Sequence, residues 1–164
     1  MIVRLSKLSL LAATALFMTL VAIGNITDYG SNWQFVQHVL SMDTTFQSPN
    51  LMWRAVTDPV LQTIAYLLII LAETVAALTL WIGGLRLWGR RRDLAGRFND
   101  GKDIAVAGLT LAMLLWGMGF IAIGGEWFAM WQSQDWNGQG AAFGFFAFNG
   151  ITLLYLVQPD VDYA

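Results

Sequence analysis

One acid in this chain lies where a carboxylate is costly. Glu73 falls inside the apolar run Val60 to Leu85, about 13 residues before Arg86, or roughly 19 Å along a helix rising 1.5 Å per residue. That is close to the middle of a bilayer. An ionised carboxylate there costs several kcal/mol unless it is neutral or paired, which makes an intramembrane acid a functional candidate by default. No Lys, Arg or His occurs in any apolar run to pair with it. The same depth count brings Thr19, Trp116 and Asn149 near its level, so the expectation is a protonated Glu73 facing inward and hydrogen-bonded to Asn149 or a neighbouring hydroxyl. Such a group supports a proton or cation step, or it only pins helix register.

A second stretch, "GGEWFAMWQSQDWNGQ" from Gly124 to Gln139, packs three tryptophans, two acids and three glutamines between two apolar runs. Trp127 and Trp131 are four residues apart, which puts them on one face of a helix, with Met130 beside them. Tryptophan gathers at membrane–water boundaries, so the first reading is an aromatic belt plus a folded loop. Glu126, Asp135 and Trp136 then face water or a partner. Trp33, His38, Trp53 and Arg54, in an earlier loop, extend this candidate partner surface.

Other chemistry is poorly served. His38 is the single histidine, and as a metal ligand it needs Asp28, Asp43, Asp58, Glu126 or Asp135 beside it, which no recognisable ligand spacing links. The chain has no cysteine, hence no thiolate site and no disulfide. No helix carries an axial histidine for haem, and no nucleophile elbow, phosphate loop or HExxH motif is present. The expectation is therefore no catalytic residue, no metal and no cofactor.

The elements that position these residues follow from composition. With 57% hydrophobic and 12% charged residues and a mean hydropathy of +0.56, the 164-residue chain falls outside the soluble range, where about a quarter of residues are charged. We expect an all-α, four-helix transmembrane bundle forming one domain. Its spans lie at about 8–26, 60–85, 104–123 and 140–157, with outer loops at about 25–59 and 124–139 and a cytoplasmic loop at about 86–103. Asp58 and Pro59 mark a capped start for the second span. "SNWQFVQHVLSMD" and "SPNLMWRAVTD" read as short amphipathic helices at the interface.

Eight of the nine basic residues fall before span one or between spans two and three, which places both termini in the cytoplasm. The basic cluster beside a span is an orientation signal rather than a nucleic-acid footprint. Arg4 and Lys7 before an apolar run also suit a secretory leader, but the run exceeds a usual leader core, so a retained span is expected.

A shift of 100 residues matches Leu11, Ala12, Met18, Ala22, Ile23 and Gly24 with identical residues, which suggests two like-oriented hairpins. Small residues let helices approach in lipid. Gly108 with Ala112, Gly140 with Gly144, and Ala72 with Ala76 supply such pairs, for internal packing or for a partner.

"NITDYGSN", "FVQHVLSMDTTF", "MWRA", "AVAGLTL" and the Gly124–Gln139 stretch resemble a bacterial family of predicted small integral membrane proteins of unknown function, over nearly the whole chain. The resemblance implies a four-helix protein of the bacterial inner membrane and no assigned site. The first expectation is a non-catalytic accessory or structural subunit, docked on other membrane subunits or on itself. The second is a small oligomeric proton, cation or solute transporter using Glu73. The third is an interfacial enzyme acting on lipid or quinone.

Overall fold

In a computed structural model, residues 1–162 are described, and among them the chain is helical throughout. The helices are α1 (Ile2–Thr27), α2 (Tyr29–Ser41), α3 (Pro59–Arg90), α4 (Ala95–Asn99), α5 (Asp103–Leu114) and α6 (Gln139–Val157). Single 3-10 turns cover Met52–Arg54 and Met130–Gln132. Four helical stretches are long and apolar enough to cross a membrane: Ile2–Thr27, Pro59–Arg90, Ala95–Trp127 and Gln139–Val157. The four-span expectation holds, with α2 as the amphipathic helix of the first loop. The piece around Trp53 is only one 3-10 turn: Ala55 is extended, and the Val56 amide donates to the Leu40 carbonyl of α2 at 2.8 Å rather than continuing a helix.

The first two spans extend well past their hydropathy limits. The first begins at Ile2 rather than near residue 8, because Arg4 and Lys7 are buried and find acceptors inside the protein instead of needing water. The second runs to Arg90, five residues past the apolar run, and Arg91 closes it with its guanidinium 4.1 Å above the Trp88 ring. Its start matches expectation: the Asp58 carboxylate accepts from the Val60 and Leu61 amides at 2.7 and 3.3 Å, with Pro59 at the first position. Asp58→Ala is expected to cost about 1 kcal/mol of stability, the usual worth of a cap, read as a lower melting temperature.

After Leu114 the third span continues as a wide π-type helix, Leu115–Trp127, whose exit is bonded five residues back, from the Phe128 amide to the Ile123 carbonyl at 3.0 Å. A wider turn brings residues four or five apart onto one face. Trp116, Phe120 and Gly124 with Gly125 therefore look inward together.

The core joins α1, α3, α5 and α6. Leu11, Met18, Leu80, Leu87, Leu109 and Ala112 are completely buried, with Phe17, Trp116 and Phe145 packed ring against ring above them. Gly83 and Gly108 bring α3 and α5 together: a β-carbon on Gly83 would meet the Ala105 amide nitrogen at 2.6 Å, and one on Gly108 would meet Leu80 at 2.9 Å. Gly108 and Ala112 are both buried on this side of α5. Gly140 and Gly144 pack against nothing among the described residues, since both are exposed with nothing within 4 Å of a β-carbon. Ala72 is likewise exposed while Ala76 is buried.

The 100-residue repeat is not preserved in three dimensions. Leu11 and Met18 are completely buried, whereas Leu111 and Met118 are 41% and 56% exposed. Identical residues facing opposite ways reflect a shared apolar composition, not a shared packing unit.

Candidate functional site

The two loops fold into a single cap over one end of the bundle, the loop end. Val39 and Met42 of the first loop bury against Phe128, Ala129 and Met130 of the second. Ala129 makes the bend between them in the left-handed region, at φ 51°. Polar contacts lock the halves: the Thr44 hydroxyl donates to Ser133 Oγ at 2.8 Å, and the Phe46 amide donates to Gln132 Oε1 at 3.0 Å.

The aromatic and charged residues singled out from sequence are divided within this cap. Trp53 meets Trp127 edge-on at 5.6 Å, and the Arg54 guanidinium sits 4.6 Å above the Trp127 ring. Trp131 instead meets Phe46, so Trp127 and Trp131 do not share a helical face; the chain turns at Ala129 between them. His38 stacks on Trp136 at 4.5 Å and pairs with Asp43 at 2.8 Å. Trp33 donates from its indole to Thr63 Oγ1 at 3.2 Å. Glu126 accepts a long bond from Gln139, and Asp135 faces outward. Among the described residues, no cluster of His, Cys, Asp and Glu has a metal-binding arrangement.

Glu73 is the centre of the interior. It is completely buried, and Asn25 Nδ2 donates to both carboxyl oxygens at 2.8 Å. Tyr66, about two turns earlier on the same face of α3, donates its hydroxyl to the Asn25 backbone carbonyl at 2.8 Å and so fixes the donor. The expected partner, Asn149, is not the one used. Its amide nitrogen donates to its own helix at Phe145, 2.7 Å away. Thr19 is also elsewhere: its hydroxyl donates to the Ala15 carbonyl and accepts from the Trp81 indole at the lipid side.

Glu73 also lies nearer the loop end than its count from Arg86 implies. Asn25 is in the last turn of α1, so the bond between them fixes Glu73 level with that turn. The discrepancy arises because the first turns of α3 run beside α2, with Trp33 on Thr63, before α3 joins the four-helix layer. Counting along one helix cannot reveal that overhang.

Beside Glu73 is a cavity of about 290 Å³, walled by Asn25, Tyr66, Trp116, Phe120, Ala142 and Phe145 among others, with Asn32 and Gly138 of the loops at its rim. Trp116 is 4% exposed and its indole N–H has no hydrogen-bond partner. Asn149 Oδ1 is similarly unpartnered. The structure thus unites Glu73 with Trp116 and leaves Thr19 outside; Asn149 belongs to the packed helix below.

At the opposite, basic end is a cluster that reading for topology alone missed. Lys7 and Lys102, both buried, donate to the same Asp160 Oδ2 at 2.7 and 2.8 Å. Each also donates to the Gln158 carbonyl, at 2.5 and 2.8 Å. Arg4 reaches the Asp93 carbonyl at 2.6 Å and lies 3.7 and 3.5 Å from Asp160 and Asp162. Burial alone would raise the Asp160 carboxyl, but the bonds from Lys102 and Lys7 outweigh it and hold it below the ordinary carboxylate range. The signal in sequence was the acid pair in "QPDVD" after span four, opposite basic residues that orientation arguments counted only as charges.

Between the two ends, Thr14 and Thr152 face each other at 3.5 Å within the apolar core. Lys7, Thr14 and Asn25 share the buried face of α1, but about 16 Å of helix separates the last two. Ala15 and Met18 of α1, both buried, lie in that gap.

No curated protein and no solved structure matches the chain. One family model does, over residues 3–159, and the four apolar helices accord with its description. The chain belongs to the family described as "Predicted small integral membrane protein (DUF2165)".

Proposed function

We propose that this chain is a multi-pass protein of the bacterial inner membrane, with both termini cytoplasmic, that binds a small ligand from the loop end and uses Glu73 to hold it. The observation that carries the reading is Glu73 itself: a completely buried acid held by Asn25, with no cation beside it among the described residues, on a cavity. A charge so placed is costly, and the reading requires the neutral form of Glu73 at pH 7. Orientation rests on the basic residues gathered at the end with the termini. Because the core below is packed, one chain gives access from one side, and a transport cycle using Glu73 needs that packing to open.

Infrared spectroscopy tests this directly. A protonated carboxyl band is expected at pH 7, lost in Glu73→Gln, that shifts promptly when the solvent becomes heavy water, since the cavity rim admits solvent. A band that ignores heavy water for hours identifies a structural pin, and an ionised Glu73 at pH 7 overturns the reading. Vesicles holding the protein are expected to keep an imposed pH gradient; leakage that falls about a hundredfold in Glu73→Gln, the scale of losing a positioned proton-transfer group, favours the transporter reading instead.

A second reading, an accessory subunit without chemistry of its own, is supported by Gly140 and Gly144, a small-residue pair that faces lipid with nothing packed on it.

A further inference from the structure

A second cavity adjoins the first and differs from it in kind. It measures about 240 Å³ and is almost wholly apolar, lying between α3 and the wide helix with α2 above. Phe35, Val36, Ile69 and Phe120 border both spaces. Its outer edge carries Leu68 and Ile123, which are 58% and 46% exposed on the lipid side of the spans. An apolar slot open on the lipid side and the pocket holding a buried acid therefore share a wall of four side chains.

Apart from Asn32 at the rim, the free hydrogen-bonding capacity of that pocket lies with donors. An indole N–H only donates, and that of Trp116 is unused. Asn25 and Tyr66 are engaged with Glu73 and with each other. A neutral Glu73 has one O–H left to donate. A ligand that satisfies the site brings oxygen acceptors between aromatic walls, Phe35, Phe120, Phe145 and Trp116, and an aliphatic part for the slot.

We infer that the paired cavities bind a membrane-soluble carbonyl compound, its carbonyl oxygen facing Trp116 and Glu73 and its aliphatic tail leaving through the slot past Ala65 and Leu68. This rests on the reading of Glu73 as a neutral, ligand-facing acid and adds the ligand's class. Two sources share that chemistry, a tailed quinone and an ester-linked acylglycerol. The observations concern binding alone; no electron transfer is invoked.

The purified protein in nanodiscs of ether-linked lipid, which contain no ester carbonyl, allows both to be titrated calorimetrically, as decylubiquinone and as dioleoylglycerol. Saturable binding of one is expected, and which one identifies the source. Trp116→Phe, which keeps the ring packed against Phe17 and Phe145 but removes the N–H, is expected to weaken that binding at least fivefold. Ala65→Phe, which narrows the slot, is expected to weaken it similarly and decides the matter should Trp116→Phe not fold. Saturable binding of neither probe, or binding that both variants leave unchanged, overturns the inference. The infrared measurement on Glu73 involves no probe, so a protonated, exchanging Glu73 with no probe binding rejects the ligand class while leaving the site.

Discussion

Asp160→Asn is expected to lower stability by about 3–5 kcal/mol, the cost of leaving buried charge without its partner. Asp160 accepts from two buried lysines and lies close to Arg4, with only 4% of its own side chain exposed. Asn keeps the shape and loses the charge, so Lys7 and Lys102 retain only neutral acceptors, Gln158 and Asn99. Thermal unfolding in detergent reads the loss. A triple variant, Lys7→Met, Lys102→Met, Asp160→Leu, is expected to recover most of it, since a buried ionic cluster replaced by apolar groups of similar volume is often no less stable. If the single variant melts within a degree or two of the parent, the cluster is a solvated surface feature and not a clamp.

The pH dependence follows from the direction of the Asp160 shift. Its native carboxyl titrates below its unfolded value, so the native state binds fewer protons there than the unfolded state does. The clamp's contribution is complete above the unfolded range near about pH 4 and is lost as pH falls through the lower native value. Acid unfolding of the parent is expected below that range, and in Asp160→Asn this part of the acid sensitivity disappears.

The clamp shows what a single sequence conceals. Spans, their order and the cap at Asp58 were legible because each depends on local composition. Glu73 was legible as an isolated acid in an apolar run. Its partner was not: Asn25 is 48 positions away, at the end of another helix, and looked like the first residue of a loop. The register between α1 and α3, set by the overhang of α3 beside α2, decides which polar residue meets Glu73, and hydropathy carries no register. Lys7 and Lys102 were counted only as orientation charges for the same reason, since only the folded tail brings Asp160 between them.

The small residues make the point by experiment. Gly83→Leu is expected to abolish folding, and Gly83→Ala to cost about 1–3 kcal/mol, the usual penalty for overpacking a filled contact. A β-carbon there meets Ala105 backbone atoms at 2.6 and 2.7 Å, and backbone in two packed helices cannot step aside as a flexible side chain can. Gly83 belongs to no small-xxx-small pair that sequence reading selected, whereas Gly140 and Gly144 form one and touch nothing within the chain. Gly144→Leu is therefore expected to leave the melting temperature of the monomer within about 0.5 kcal/mol equivalent of the parent, the range of a surface substitution. The same variant separates the two proposed functions. If the pair seats a partner or a second copy, Gly144→Leu releases it on size analysis of the gently solubilised protein while the Glu73 infrared band stays as it was; if size and composition do not change, no partner is held on that face and the accessory reading loses its support.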